Sequence, residues 1–338
     1  MAVHDIAYVE LYAKNKSSAV EHFVSTLGFT QVADCVQPDR SSALLRQNEV
    51  QIVVTSGPGV WSFLDEHGDG IADIALTCDD VGATRDAALA AGAVLNRPVR
   101  DHPVVSGFGG VTHTLLPLAE KAARPEGRNW VATPGGAQRP TGRIEKIDHV
   151  AVCLEGGSLD HYADFYNDAF GMARYSSEYV ALGGQAMDSI VVRSDSGNVI
   201  CTLVAPVPGK DPGQLDAFLE RNCGPGVQHL AFLVDDIIPA VGAFRDRGAA
   251  FLSTPDSYYD VLAERVSDLP AEVAELRAAQ VLVDRDEWGH LLQVFTRSSC
   301  ERNTLFHELI QRRGSRGFGS ANIRALYEAV ERDRLTAG

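Results

Sequence analysis

Three residues of this chain have the types and placements needed to hold a metal ion. His149 lies in Ile147-Asp-His-Val-Ala-Val-Cys153, where strand alternation sets it on one face with Ile147, Ala151 and Cys153. His229 lies in Val227-Gln-His-Leu-Ala-Phe-Leu233, on a face with Val227, Ala231 and Leu233. Glu308 sits between Phe306 and Ile310 on one face of a third apolar segment. Either histidine alone reads as a hydrogen-bonded core residue. The glutamate is harder to place, because an unpaired buried carboxylate costs several kcal/mol or must take up a proton. Together the three fit a two-histidine, one-carboxylate set, which holds Fe(II) on one face and leaves positions for substrate and dioxygen. No HExxH spacing supports this reading, since the ligands are far apart in the chain. Among the other histidines, His67 and His102 read as loop residues and His161 as helical, while His113 and His290 fall at strand starts. His307 points away from Glu308, toward the surface or a supporting position.

The elements that must position these residues are organised by an internal repeat. Gly68-Asp-Gly-Ile-Ala-Asp-Ile-Ala75 with Asp79-Asp-Val81 matches Gly224-Pro-Gly-Val-Gln-His-Leu-Ala231 with Asp235-Asp-Ile237, at an offset of 156 residues. Ile6-Ala-Tyr-Val9 matches Ile147-Asp-His-Val150 at an offset of 141. Two copies of one domain follow. In the second copy Ile147–Leu154 reads as a strand, Leu159–Ala169 as an amphipathic helix, and Tyr175–Leu182, Ala186–Arg193 and Val199–Val204 as strands. The order then restarts with a strand over Val227–Val234, a helix over Ile238–Arg247, and strands over Val281–Val283, Leu291–Thr296 and Thr304–Gln311. The expected class is α+β, with a βαβββ module used twice per domain. Residues 1–142 form the first domain, including a Pro- and Gly-rich linker over 119–142 that has no sustained period, and residues 143–338 form the second. After the glycine-rich 314–319 segment, which reads as a flexible or turn stretch, a helix over 322–332 is placed to act as a lid. In the first copy the positions of His149 and His229 hold Tyr8 and Asp73, so the N-terminal domain is expected to be metal-free and structural.

Composition narrows the partners. Of 338 residues, 30 are Lys or Arg and 45 Asp or Glu, a net charge of -15 without any long basic block, which argues against nucleic acid. No apolar run approaches the roughly 20 residues of a membrane span, and the N-terminus lacks a secretory pattern. The cytoplasm is the expected compartment. Six cysteines without a CxxC pair read as mostly buried thiols. A homodimer is compatible with the sequence but not read from it.

The sequence resembles the 4-hydroxyphenylpyruvate dioxygenase and 4-hydroxymandelate synthase family of the vicinal oxygen chelate superfamily over nearly its whole length. The resemblance is carried by Ile147-Asp-His149, Gly224-Pro-Gly-Val-Gln-His229, Thr254-Pro-Asp-Ser-Tyr-Tyr259, Leu282-Val-Asp-Arg-Asp286, Leu291-Leu-Gln-Val-Phe-Thr296, Thr304-Leu-Phe-His-Glu-Leu-Ile-Gln311, and Gly317-Phe-Gly319 with Asn322. It implies two vicinal oxygen chelate domains, each a half-open β-barrel of paired βαβββ modules. It also implies one Fe(II) per chain on His149, His229 and Glu308, and the substrates 4-hydroxyphenylpyruvate and dioxygen, the keto acid chelating the iron. Ser189, Gln293 and Asn322 match polar pocket positions of the family, and Phe318 an aromatic residue beside the substrate ring. From the residues alone, Ser189 could instead satisfy a backbone group, Asn322 cap the last helix, and Phe318 be plain core.

Three departures separate the chain from the family members that attack the aromatic ring. Ile200-Cys-Thr-Leu-Val-Ala-Pro206 has Thr202 where those enzymes carry proline and Val204 where they carry a pocket asparagine, while Ile323 and Tyr327 stand where they carry phenylalanines. These features resemble the mandelate-forming branch. The expected reaction is oxidative decarboxylation with benzylic hydroxylation to 4-hydroxymandelate, which supplies 4-hydroxyphenylglycine for nonribosomal peptide antibiotics. Ring attack to homogentisate is the alternative within the family. A non-catalytic small-molecule binding protein is the alternative outside it, since paired modules also build cups that sequester ligands.

Overall fold

The structure is a computed structural model that describes residues 2–99, 102–134, 142–265, 272–319 and Asn322. Strands β1 (Val3–Tyr12), β2 (Thr30–Val36), β3 (Ser41–Gln47), β4 (Val50–Ser56), β5 (Gly70–Cys78), β6 (Leu95–Val99), β7 (His102–Ser106), β8 (Thr112–Pro117) and β9 (Val131–Ala132) form one sheet. Strands β10 (Ile144–Cys153), β11 (Ala173–Leu182), β12 (Gln185–Arg193), β13 (Ile200–Pro206), β14 (Gly226–Val234), β15 (Leu282–Arg285), β16 (His290–Phe295) and β17 (Phe306–Arg313) form the other.

Each sheet joins two modules along its middle. In the second sheet the order is β11-β12-β13-β10-β14-β17-β16-β15. The first strand of each module lies parallel to its own last strand, β10 with β13 and β14 with β17, and the two first strands pair antiparallel. The first sheet repeats this plan, and its centre keeps the same register: Tyr8 is opposite Ala75 as His149 is opposite Ala231. The expected α+β fold of paired βαβββ modules is the one observed. Helices over Leu159–Phe170 and Ile237–Asp246 cover one side of the second sheet and bury Phe170 and Phe244, while the opposite, concave side is left to the site. Three further helices, Gln214–Asn222, Asp256–Arg265 and Val273–Ala279, lie in stretches that the strand pattern does not reach. No helix of the described residues is long and apolar enough to cross a membrane.

The segment after residue 119, expected to be a bare linker, is partly built into the first sheet. Val131–Ala132 pairs with β2, and Trp130 packs on the cluster of Ala7, Tyr8, Val32, Ala33, Leu44, Val53, Ala75 and Leu116. Arg128 reaches a buried ion pair with Glu10. A two-residue strand and one buried arginine leave no periodic signature, which is why the pattern missed them. The side of the first sheet that carries Tyr8 is thereby filled, whereas its counterpart in the second sheet stays open.

The two sheets share one apolar core. Within it His113 Nε2 lies 3.0 Å from the Tyr166 hydroxyl, and His307 stacks between His22 and Phe232. His307 is therefore buried in the core, not surface-placed, and desolvation lowers its pKa to about 3. Its strand is covered on both sides, so pointing away from Glu308 means pointing into the other half of the chain. Two other histidines also sit in regular structure rather than loops, His67 ending the helix Trp61–His67 and His102 opening β7.

Candidate metal centre

Strands β10, β14 and β17 lie side by side and bring His149, His229 and Glu308 onto one buried spot. The register explains the convergence: Ala231 faces His149 on one side and Glu308 on the other, and His229 sits two residues along the shared central strand. Glu308 Oε2 lies 3.4 Å from His149 Nε2 and 3.3 Å from His229 Nε2. Donor atoms about 2.1 Å from a cation and at right angles to one another would stand roughly 3 Å apart, so this spacing needs only a small contraction to close on an ion.

The surrounding groups orient the donors. Asp148 Oδ1 lies 2.9 Å from His149 Nδ1, and Arg312 donates to both oxygens of Asp148 at 2.7 and 2.8 Å. Gln228 Oε1 is 3.2 Å from His229 Nδ1. With both Nδ1 atoms engaged, the two Nε2 atoms face the shared centre. Glu308 is held from behind, its Oε1 accepting from Gln293 Nε2 at 2.7 Å, and Gln293 Oε1 accepting from Asn322 Nδ2 at 2.7 Å. Asn322 thus meets Gln293 behind the centre.

The charges are ordered as well. Burial opposes ionisation of Glu308, but the two imidazoles outweigh it and lower its pKa to about 2. Burial likewise disfavours the His149 imidazolium, yet its bonds to Asp148 and Glu308 raise its pKa to about 9. Desolvation lowers that of His229. The same carboxylates that favour a proton on His149 would favour a cation held between His149, His229 and Glu308. Asp148, against its burial, stays ionised well below the usual carboxylate range through Arg312 and His149. Replacing Asp148 by alanine is expected to weaken metal binding at this candidate centre about 10- to 100-fold, the usual cost of losing a group that orients a ligand. An equilibrium iron titration reads this, and unchanged affinity would refute the orienting role.

A pocket opens from the centre. Ser189, Thr202, Val204, Gln293 and Phe318, all expected from the sequence, line it. Ile323 and Tyr327, with the rest of the expected 322–332 helix beyond Asn322, lie outside the described residues. The Phe318 ring meets His149 edge-on at 5.4 Å. The glycine-rich segment that carries it is a pinned turn, since Asp286 accepts from the backbone N–H groups of Arg316 and Gly317 and from Ser315. At Gly319 φ is +74°, and an added Cβ would lie 2.2 Å from Gln293 Oε1. The pocket also contains Ser176, Glu178, Gln214 and Gln228, which sequence reading did not single out. Gln228 adjoins His229 in Gly-Pro-Gly-Val-Gln-His, a usable signal; Gln214 opens an unforeseen helix, and Glu178 lies on an edge strand with no marked sequence pattern.

The corresponding spot of the first sheet is different. The register puts Tyr8, Asp73 and Thr114 at the positions of His149, His229 and Glu308. Asp73 accepts there from Thr112 Oγ1 and the Thr114 N–H.

Models of the glyoxalase/bleomycin resistance protein/dioxygenase superfamily match residues 5–112 and 148–260. The 4-hydroxyphenylpyruvate dioxygenase of Neurospora crassa is 32% identical over 296 residues, 81% of this chain and 72% of its own. That of Danio rerio is 29% identical, covering 98% of this chain and 91% of its own. A solved structure of a mutant 4-hydroxymandelate synthase from Streptomyces coelicolor superposes with a TM-score of 0.92 at 47% identity, over 99% of this chain and all of the other.

Proposed function

Since the chain belongs to the family of 4-hydroxyphenylpyruvate dioxygenases and 4-hydroxymandelate synthases, within the glyoxalase/bleomycin resistance protein/dioxygenase superfamily, we propose that it converts 4-hydroxyphenylpyruvate and dioxygen to 4-hydroxymandelate and carbon dioxide. The chain is an enzyme of the dioxygenase type. In this reading residues 1–142 are structural and residues 143–338 catalytic, and His149, His229 and Glu308 hold one Fe(II). Two imidazoles and one carboxylate are the donor set suited to Fe(II) with open positions. Fe(II), when bound, supplies a Lewis acid and redox centre on which an α-keto acid and dioxygen can meet.

The protein contributes orientation. Asp148 and Arg312 hold His149, Gln293 holds Glu308, and the buried walls exclude water from the reacting atoms. Among the described residues that line the pocket there is no arginine or lysine, so a bound metal would supply the attraction for the keto acid's carboxylate.

The observation that carries the choice of product is the wall formed by Thr202 and Val204. Both face the pocket from β13 and are mostly buried, so the ring end of the substrate meets a methyl-bearing surface at Val204, where a carboxamide would grip it. A shift of about 1 Å in ring position is enough to change which carbon is attacked. The test is anaerobic loading with Fe(II), addition of 4-hydroxyphenylpyruvate and oxygen, and product analysis by chromatography and mass spectrometry. 4-Hydroxymandelate is the expected product. Homogentisate would overturn the proposed product, and no turnover would favour a ligand-binding role. Val204→Asn is expected to raise the ratio of homogentisate to 4-hydroxymandelate about tenfold, a barrier difference of about 1.4 kcal/mol. An unchanged ratio would remove Val204 from the argument.

A further inference from the structure

Glu178 is the acidic residue of the pocket wall that takes no part in the metal centre. It lies on β11, where Ser176, Glu178 and Val180 are partly buried while Ser177 and Tyr179 between them are exposed, so alternation turns the carboxylate inward. It is opposite Ser189, which is opposite Val204, which is opposite Cys153. That row meets β10 four residues beyond His149, roughly 13 Å along the strand. The Glu178 side chain therefore enters the pocket toward the end away from the metal centre. Its Oε2 is buried and has no hydrogen-bond partner among the described residues.

A carboxylate oxygen in that position lacks a donor. Desolvation raises its pKa, and the Asp284 carboxylate adds to the effect. A neutral hydroxyl on the ligand would relieve this, whereas an anionic group would worsen it. Resting on the proposed function, we infer that Glu178 is the specificity-determining residue for the para-hydroxyl of the substrate ring, its Oε2 accepting the phenolic O–H while the keto acid end is held at the metal centre. A charge-assisted O–H···O⁻ bond is among the stronger neutral-to-ion contacts, and sites with an unpaired polar group discriminate against analogues that lack the matching hydroxyl.

The test compares the Fe(II)-loaded wild type, Glu178→Gln and Glu178→Leu on 4-hydroxyphenylpyruvate and on phenylpyruvate, by steady-state kinetics and by anaerobic equilibrium binding of each keto acid. Glu178→Leu is expected to raise KM and Kd for 4-hydroxyphenylpyruvate about 10- to 100-fold. Phenylpyruvate is expected to bind as before or more tightly, since the leucine leaves no unpaired carboxylate. Glu178→Gln keeps an acceptor oxygen and is expected to fall between the two. Equal losses on both keto acids, or no loss on either, would overturn the inference while wild-type turnover upholds the functional reading. A wild type that turns over neither keto acid would overturn both.

Discussion

Glu308→Gln is expected to leave a folded protein that no longer retains iron and no longer consumes oxygen with its keto acid. Glutamine keeps the length and shape of the side chain, and its carbonyl oxygen can still take the position of Oε1 beside Gln293. What it lacks is the negative charge that both imidazoles face at 3.3 and 3.4 Å. Groups that only orient a ligand cost about 10- to 100-fold in metal affinity when removed, so loss of the sole anionic ligand should exceed about 100-fold. Iron per chain after desalting, measured by atomic absorption, should drop from one to near zero, with turnover falling in step. Far-UV circular dichroism separates this from unfolding. A variant that keeps its iron and its turnover would sink the assignment of the centre.

Arg128→Ala is expected to destabilise the whole chain without touching the metal centre. The Arg128 and Glu10 side chains are only 5% and 6% exposed, and the guanidinium is held charged by Glu10 against its own burial. Tyr8, Tyr12 and Asp73 crowd the same spot; burial first, and the Glu10 charge as well, push the Asp73 carboxyl up to about 7. Removing the arginine leaves Glu10 as an uncompensated buried charge beside a second acid, which costs about 3–5 kcal/mol. Calorimetry should show a melting point lower by several degrees, with iron affinity unchanged. Because the cost lies in the orphaned carboxylate, Glu10→Gln combined with Arg128→Ala should recover part of the loss. An unshifted melting point in the single variant would show that the 119–132 segment does not hold the first sheet together.

These two outcomes also mark how far the residues could be read in advance. Alternation in three apolar strands singled out His149, His229 and Glu308, because a polar residue that recurs on a buried face needs a partner. The offset between the repeats placed Tyr8 and Asp73 against the two histidines, and the pairing of Tyr8 with Ala75 and His149 with Ala231 agrees. Strand and helix periods are local properties of the chain, so the order of modules was legible, as were Ser189, Thr202, Val204, Gln293 and Phe318 through their likeness to a known pattern. Ile323 and Tyr327 remain expectations from that likeness.

Other features depend on which distant segments meet, and no local period encodes that. Glu178 and Val204 belong to one wall only because β11, β12 and β13 run side by side. Arg128 carries a charge that reads as solvated until the fold folds it over the first sheet. His307 points away from the metal centre in sequence terms, and only the packing of one half on the other shows that this direction is core. Thus residue types and their periods determined the fold class and singled out the candidate metal-binding set, while tertiary structure alone decided which cup was filled and which was left open. Strand periodicity reports which face is buried, but the burial partner comes from chain crossings far apart in sequence.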